Sequence, residues 1–168
     1  MNILIIGLGS IGQRHLRNLK FIQPKTNFYA IKSNRNKSAP LLNNFNRVLK
    51  GNIKKKYSIT YFNSIYEIHK NNIKIDCAFV CTPSSKHISQ VIELLKYNIN
   101  CFVEKPLGSS SKKLSELENL LKKKKKLITM MGYQLRFNPI IKYLDKVIKK
   151  KSPIGKLISA NIHLGENI

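Results

Sequence analysis

Apolar residues along this chain fall into two patterns that alternate. Short unbroken apolar runs, bounded by glycine, proline or asparagine, suit strands buried on both faces. They occur at 2–6, 27–31, 77–81, 101–103 and 127–131, with a weaker run at 57–61. Between them apolar residues recur every three or four positions, the spacing of an amphipathic helix. Ile88, Val91, Ile92 and Leu95 follow i, i+3, i+4, i+7, and Leu114, Leu117, Leu120 and Leu121 mark a second such face. Helices are also predicted at 11–21, stopped before Pro24, at 39–50, at 64–71 with Ser64 as N-cap, and at 139–150. Residues 51–56 read as a basic loop and 156–164 as a final strand.

Strands that alternate with helices through short connections imply an α/β fold with a parallel, doubly wound sheet. There is no internal repeat and no flexible interdomain linker. The low-complexity content is confined to lysine runs.

Composition adds one unusual feature. The 168 residues include 31 Lys and Arg against 8 Asp and Glu, a formal charge of +23. Such a balance raises nucleic acid or an anionic membrane as partners. The lysine runs at 54–56, 122–126 and 149–151, however, fall at predicted helix ends or loops, where the helix dipole or water accommodates them. No aromatic residues interleave with them, as single-strand binding requires. With Asn and Ile also abundant, the excess reads as compositional drift, and nucleic acid is not expected as a partner.

Cys77, Cys81 and Cys101 lie in apolar, strand-like segments and read as reduced thiols of a cytoplasmic protein. No His or Cys cluster has metal-ligand spacing, so no metal is expected. The first strand starts at once, without the basic region of a signal peptide, and no apolar stretch is long enough to span a membrane.

The chemistry starts at Gly7-Leu8-Gly9-Ser10-Ile11-Gly12, which matches G-x-G-x-x-G between a buried strand and a helix. In that setting Gly7 makes the tight turn, Gly9 lets a pyrophosphate approach the backbone, and Gly12 lets the helix pack against the strand. Ser10 and Ile11 open the helix, whose N–H groups and positive dipole end face the phosphates. Residues 1–133 therefore read as a Rossmann domain for a nicotinamide dinucleotide. An NAD site usually carries Asp or Glu after the second strand; this chain has Lys32-Ser33-Asn34-Arg35 instead. Ser33 and Arg35 suit a 2′-phosphate, with Lys32 adding charge, so NADP is favoured over NAD.

Three further motifs follow strand ends, where open α/β sheets bind ligands. They are Thr82-Pro83-Ser84-Ser85-Lys86-His87, Glu104-Lys105-Pro106-Leu107-Gly108 and Gly132-Tyr133-Gln134-Leu135-Arg136-Phe137-Asn138-Pro139. Together with the glycine turn, the T-P-x-x-x-H and E-K-P motifs resemble the Gfo/Idh/MocA family of NAD(P)-dependent oxidoreductases, across essentially the whole chain. The resemblance implies that Thr82 and Pro83 contact the cofactor and that Ser84 caps the next helix. His87 matches the family's His and either braces its loop or acts directly. Lys105 is implied as the catalytic residue, bonding the substrate hydroxyl and stabilising the developing alkoxide. Glu104 orients Lys105 or contacts the nicotinamide ribose. Arg136 and Asn138 are implied at the mouth of the substrate cleft, Arg136 holding an anionic group or linking two domains.

The resemblance further implies transfer of hydride at a secondary hydroxyl of a sugar, nucleotide sugar or cyclic polyol. It also implies a second, mostly antiparallel domain, for substrate and oligomerisation, that supplies an Asp and a His. Here 134–168 read as only the beginning of that α+β domain, with Ser152-Pro153-Ile154-Gly155-Lys156 at its entry. Ile158, Ala160, Ile162 and Leu164 would give its strand one uncovered apolar face. The expectation is thus an oxidoreductase incomplete in this chain, homo-oligomeric if the missing domain is supplied. The alternatives are a non-catalytic dinucleotide-binding module and a truncated gene product.

Overall fold

The computed structural model describes residues 1–31, 39–148, 155–156, 158–161 and 163. The chain falls into two units, Met1–Gly132 and Tyr133–Ile168.

The first unit opens with β1 (Asn2–Ile6), α1 (Ser10–Ile22) and β2 (Asn27–Ile31), close to the predicted spans. The next segment departs from prediction. The expected helix at 39–50 is an antiparallel hairpin, β3 (Pro40–Leu42) and β4 (Val48–Asn52). Its turn explains why. Asn43 Oδ1 accepts from the backbone N–H groups of Phe45 and Arg47, both at 2.9 Å, and Asn46 adopts a left-handed φ of 60°. An asparagine that bonds its own backbone offers the chain a turn in place of a helix.

The predicted loop at 51–56 is likewise ordered, as α2 (Ile53–Tyr57). The Asn52 side chain caps it by accepting from the Lys55 N–H, and Ile53 and Tyr57, one turn apart, are buried. The three lysines between them are exposed.

Then follow β5 (Thr60–Phe62), α3 (Ile65–Lys70), β6 (Cys77–Val80), α4 (His87–Lys96), β7 (Asn100–Val103), α5 (Leu114–Lys123) and β8 (Thr129–Met131). Ser64 caps α3 as predicted, accepting from the Glu67 N–H at 3.1 Å, while the Glu67 carboxylate accepts from the Asn63 N–H. The Ser84 cap is not made. Ser84 opens a 3-10 turn, Ser84–Lys86, and α4 starts at His87 without a side-chain cap.

The six strands outside the hairpin form one parallel sheet, in the order β5-β2-β1-β6-β7-β8. Successive residues of β1 serve opposite faces, as the two-residue period of a strand requires. Ile3 and Ile5 pack with Phe28, Ala30 and Leu16 of α1. Leu4 and Ile6 pack with Ala78, Val80, Cys101 and Val103, under Val91, Ile92, Leu94 and Leu95 of α4 and Leu117 of α5. Each such fully buried aliphatic side chain contributes about 1.5–3 kcal/mol relative to exposure. Chain order reverses at β1, whose neighbours are β2 on one side and β6 on the other. The C-terminal edge at that switch point is where a doubly wound sheet offers a crevice.

In the second unit a 3-10 turn, Gln134–Phe137, leads to α6 (Pro139–Ile148). The strand expected at 156–164 is not formed at Lys156, residues 158–161 or His163, which carry no regular structure. A strand is stable only when a neighbour completes its ladder. Ile162 and Leu164 lie outside the described residues.

Candidate dinucleotide site at the sheet edge

Backbone hydrogen bonds beyond the strand ends set the motifs side by side. Cys81 N–H donates to Ile6 O at 2.8 Å, Glu104 N–H to Val80 O at 3.0 Å, and Gly132 N–H to Val103 O at 2.8 Å. The glycine turn, the Thr82-Pro83 loop, the Glu104-Lys105-Pro106 segment and Gly132 thus follow one another along the edge of the first unit.

Each glycine of the turn has a distinct geometry. Gly7 has φ of 100°, and a Cβ there would lie 2.7 Å from the Cys81 carbonyl carbon, so both the conformation and the close approach of β6 require glycine. A Cβ on Gly12 would collide with the Gly7 carbonyl oxygen. Gly9 differs, because a Cβ there would meet nothing within 4 Å. The open space lies above the start of α1, which has no side-chain cap and no acidic residue in its first turn. Free N–H groups, the positive end of a helix dipole and a bare Cα facing open space fit a pyrophosphate.

The Thr82 hydroxyl lies 2.6 Å from Gln90 Oε1, and Pro83 is exposed. His87 is buried, 1% exposed. Its Nε2 lies 2.7 Å from Thr82 O and its Nδ1 2.8 Å from Pro106 O, so it touches the loops after both β6 and β7.

Lys105 is exposed and precedes a cis peptide to Pro106. The Glu104 carboxylate does not engage the Lys105 ammonium among the described residues. Its Oε2 accepts from the Lys105 backbone N–H at 3.3 Å, and its Oε1 lies 2.7 Å from His15 Nε2. Glu104 thus touches Lys105 through its backbone N–H and shares its other carboxylate oxygen with His15 of α1. A Cβ on Gly132 would come within 2.9 Å of the Phe102 ring and 3.5 Å of Glu104 Oε2, so this glycine leaves room for both groups.

Sequence reasoning missed His15. Its ring sits 5.3 Å from that of Phe79 and 5.0 Å from that of Phe102, which stack on each other at 5.1 Å. The available signal was a pair of polar residues, Gln13 and His15, on the stretch of α1 that packs on the sheet. Gln13 was missed too. It is 1% exposed, donates to Leu8 O and Pro40 O, and accepts from Leu42 N–H, fastening the hairpin to the glycine turn.

Lys32, Ser33, Asn34 and Arg35 lie outside the described residues. Arg136 and Asn138 belong to the second unit. There the Arg136 guanidinium lies over the Tyr133 ring, 5.9 Å from its centroid, and Asn138 Oδ1 caps α6 by accepting from the Ile140 N–H at 2.9 Å. Among the described residues, no helix is long and apolar enough to cross a membrane.

Comparison with known proteins gives one family match. Residues 1–133 match the Gfo/Idh/MocA profile, described as an oxidoreductase family with an NAD-binding Rossmann fold. The myo-inositol 2-dehydrogenase of Thermotoga maritima is 29% identical over 158 residues, 93% of this chain and 42% of that protein. The 4-carboxy-2-hydroxymuconate-6-semialdehyde dehydrogenase of a Sphingobium strain is 26% identical over 150 residues, 88% of this chain and 43% of its own length. The crystal structure of scyllo-inositol dehydrogenase from Lactobacillus casei, with bound NAD(H) and scyllo-inositol, shares the fold with a TM-score of 0.67. It is 20% identical and covers 88% of this chain and 40% of its own. The chain spans about two-fifths of the length of the curated relatives it matches.

Proposed function

The chain belongs to the Gfo/Idh/MocA family of oxidoreductases, and from that premise we propose that it binds its nicotinamide dinucleotide along the edge from Gly7 to Lys105. Gly7, Gly9, Ser10, Ile11 and Gly12 hold the pyrophosphate, and Thr82, Pro83 and Glu104 the nicotinamide half. The observation that carries this reading is the open space at Gly9, over an uncapped helix start. NADP is the preferred form, because Lys32, Ser33 and Arg35 stand after β2 where an NAD site would carry a carboxylate.

The reaction proposed for the whole protein is hydride transfer at a secondary hydroxyl of a sugar, nucleotide sugar or cyclic polyol. Relatives named as inositol dehydrogenases support that substrate class. The bound dinucleotide supplies the hydride acceptor or donor. Lys105, whose exposed ammonium has no partner among the described residues, is the catalytic group: it bonds the substrate oxygen and stabilises negative charge there. Arg136 and Asn138 are proposed substrate contacts within 134–168, the start of a substrate domain. The free thiols support a reducing, cytoplasmic setting.

Titration of the chain with NADPH and NADH, followed by nicotinamide fluorescence, tests the proposal. Saturable binding, tighter for NADPH, is expected. Tighter NADH binding would reassign the cofactor, and binding of neither would overturn the site. In the whole protein, Lys105→Ala is expected to leave dinucleotide affinity unchanged and to abolish turnover on a panel of polyols and nucleotide sugars. Absence of turnover before and after the substitution would instead indicate a non-catalytic binding module.

A further inference from the structure

We infer a second anion site, for the phosphate group of a small molecule, in a cavity at the end of the sheet opposite the glycine turn. The cavity has a volume of about 260 Å³. Its walls come from the end of α1, the start of β2 and the turn that joins α2 to β5, and include Lys20, Lys25, Thr26, Tyr57, Ser58 and Thr60. Asn27 and Thr60 are the first residues of the parallel strands β2 and β5, whereas the glycine turn follows the last residue of β1. The cavity and the proposed dinucleotide site therefore lie at opposite ends of the sheet.

Charge is the first observation. Among the described residues no carboxylate lines the cavity, while two ammonium groups do. Lys56, on the last turn of α2, adds a third beside it, 5.7 Å from the Tyr57 ring centroid. A concave surface lined by one sign of charge concentrates the opposite ion.

Thr26 is the second and independent observation. It is 6% exposed, and its Oγ1 is buried without a hydrogen-bond partner. Its backbone N–H is already used, donating to Gln23 O at 3.0 Å. An unpaired buried hydroxyl costs about 1–3 kcal/mol, which an accepting phosphate oxygen recovers. Ser58 and Thr60 add exposed hydroxyls to the same wall.

One feature opposes an anion. Both α1 and α2 end beside the cavity, and the last carbonyls of a helix carry partial negative charge. Those carbonyls are occupied. Leu19 O accepts from Gln23 N–H, Lys55 O from Ser58 N–H and Lys54 O from Ile59 N–H. Pro24 O takes the Lys20 ammonium at 2.6 Å. The volume falls just below the roughly 300–1,000 Å³ of sites for drug-sized ligands, so the occupant is a phosphate with few further atoms.

NMR titrations of the 15N-labelled full chain, at physiological and constant ionic strength, test this. Inorganic phosphate is expected to shift the Thr26, Ser58 and Thr60 amides saturably, and to do so equally with NADPH present. Glycerol 3-phosphate is titrated beside it. Tighter binding of the ester identifies a phosphate monoester as the ligand, and weaker binding identifies the free ion. Thr26→Val removes a hydroxyl that has no partner, so it should fold with undiminished stability yet bind phosphate about tenfold more weakly. Lys25→Gln, at an exposed side chain, should weaken binding by a similar factor. Shifts that never saturate, or that spread evenly over the lysine-rich surface, would mean an adventitious ion only and overturn the site. Wild-type affinity in either variant would overturn it too. If Thr26→Val does not fold, Lys25→Gln decides. The shifts are read without dinucleotide as well as with it, so the site stands or falls apart from the function proposed above.

Discussion

His15 Nε2 lies 2.7 Å from Glu104 Oε1, joining the second turn of α1 to the end of β7 across 89 residues of sequence. Both side chains are largely shielded, 20% and 15% exposed, and the imidazole rests against the Phe79 and Phe102 rings. The pair therefore couples the helix that carries the phosphate-binding turn to the segment that carries Lys105.

That coupling is measurable. Removing either partner leaves the other polar group shielded and unsatisfied, so His15→Phe and Glu104→Leu should each destabilise by about 1–3 kcal/mol. In a double-mutant cycle followed by urea denaturation, an interaction energy of about 1 kcal/mol or more is expected. Additivity within a few tenths would show that the contact carries no energy.

The glycines of the turn should separate folding from binding. Gly12→Ala places a Cβ onto the Gly7 carbonyl, and Gly7→Ala forces a side chain to φ of 100°, so both should unfold or strongly destabilise the chain. Gly9 has φ of −72° and open space around its Cα, so Gly9→Ala should fold with near-normal stability. The added methyl nevertheless stands where the pyrophosphate must approach, and affinity for NADPH should fall by about tenfold or more. Thermal melts and fluorescence titrations check both halves. Normal binding by Gly9→Ala would place the phosphates elsewhere.

Gln13 predicts a local effect. Gln13→Leu keeps bulk in a buried site but abandons Leu42 N–H and two carbonyl oxygens. A loss of about 2–3 kcal/mol is expected. Hydrogen exchange should quicken first at Leu42, while amides in β1 and β6 stay protected. Uniform loss of protection would contradict a role limited to fastening the hairpin.

The buried thiols predict a pH dependence. Burial pushes Cys81 up to about 12, helped by the Glu104 carboxylate. Burial also raises Cys101, to about 11, against a hydrogen bond to Thr129 and with a small addition from Cys77. In the unfolded chain a thiol ionises near about 8.5. Above that pH the unfolded chain releases protons that the folded chain retains, so this contribution is complete below about 8.5 and is lost as pH rises toward 11 and 12. Urea midpoints of wild type at about pH 8 and about pH 10 should differ more than those of a Cys81→Ala/Cys101→Ala variant. Equal differences would count against it.

Much of the fold was legible because its signals are local. β1, β2, β6 and β7 were found nearly to the residue, since an unbroken apolar run between turn residues has few other uses. The hairpin at 40–52 was misread as a helix because Leu41, Leu42, Val48 and Leu49 are also compatible with a helical stripe. What decided it was Asn43, whose side chain bonds Phe45 and Arg47, and Gln13, which holds Pro40 and Leu42 from 27 and 29 residues away. At the site, the glycine turn, Thr82-Pro83 and Glu104-Lys105 could be placed by their position after strands. The partner of Glu104 could not.

By itself, then, the amino-acid sequence determined the parallel α/β sheet, the dinucleotide turn and the list of residues at the strand ends. These follow from the stereochemistry of glycine and from periodicities that span a few residues. Tertiary structure alone decided that His15 takes the Glu104 carboxylate, that His87 bridges Thr82 and Pro106, and that Gln13 holds the hairpin. Each of these depends on which strands are neighbours in the sheet and on which helix covers them. Side chains so placed compete for one partner through space, and distance along the chain carries no record of which will win.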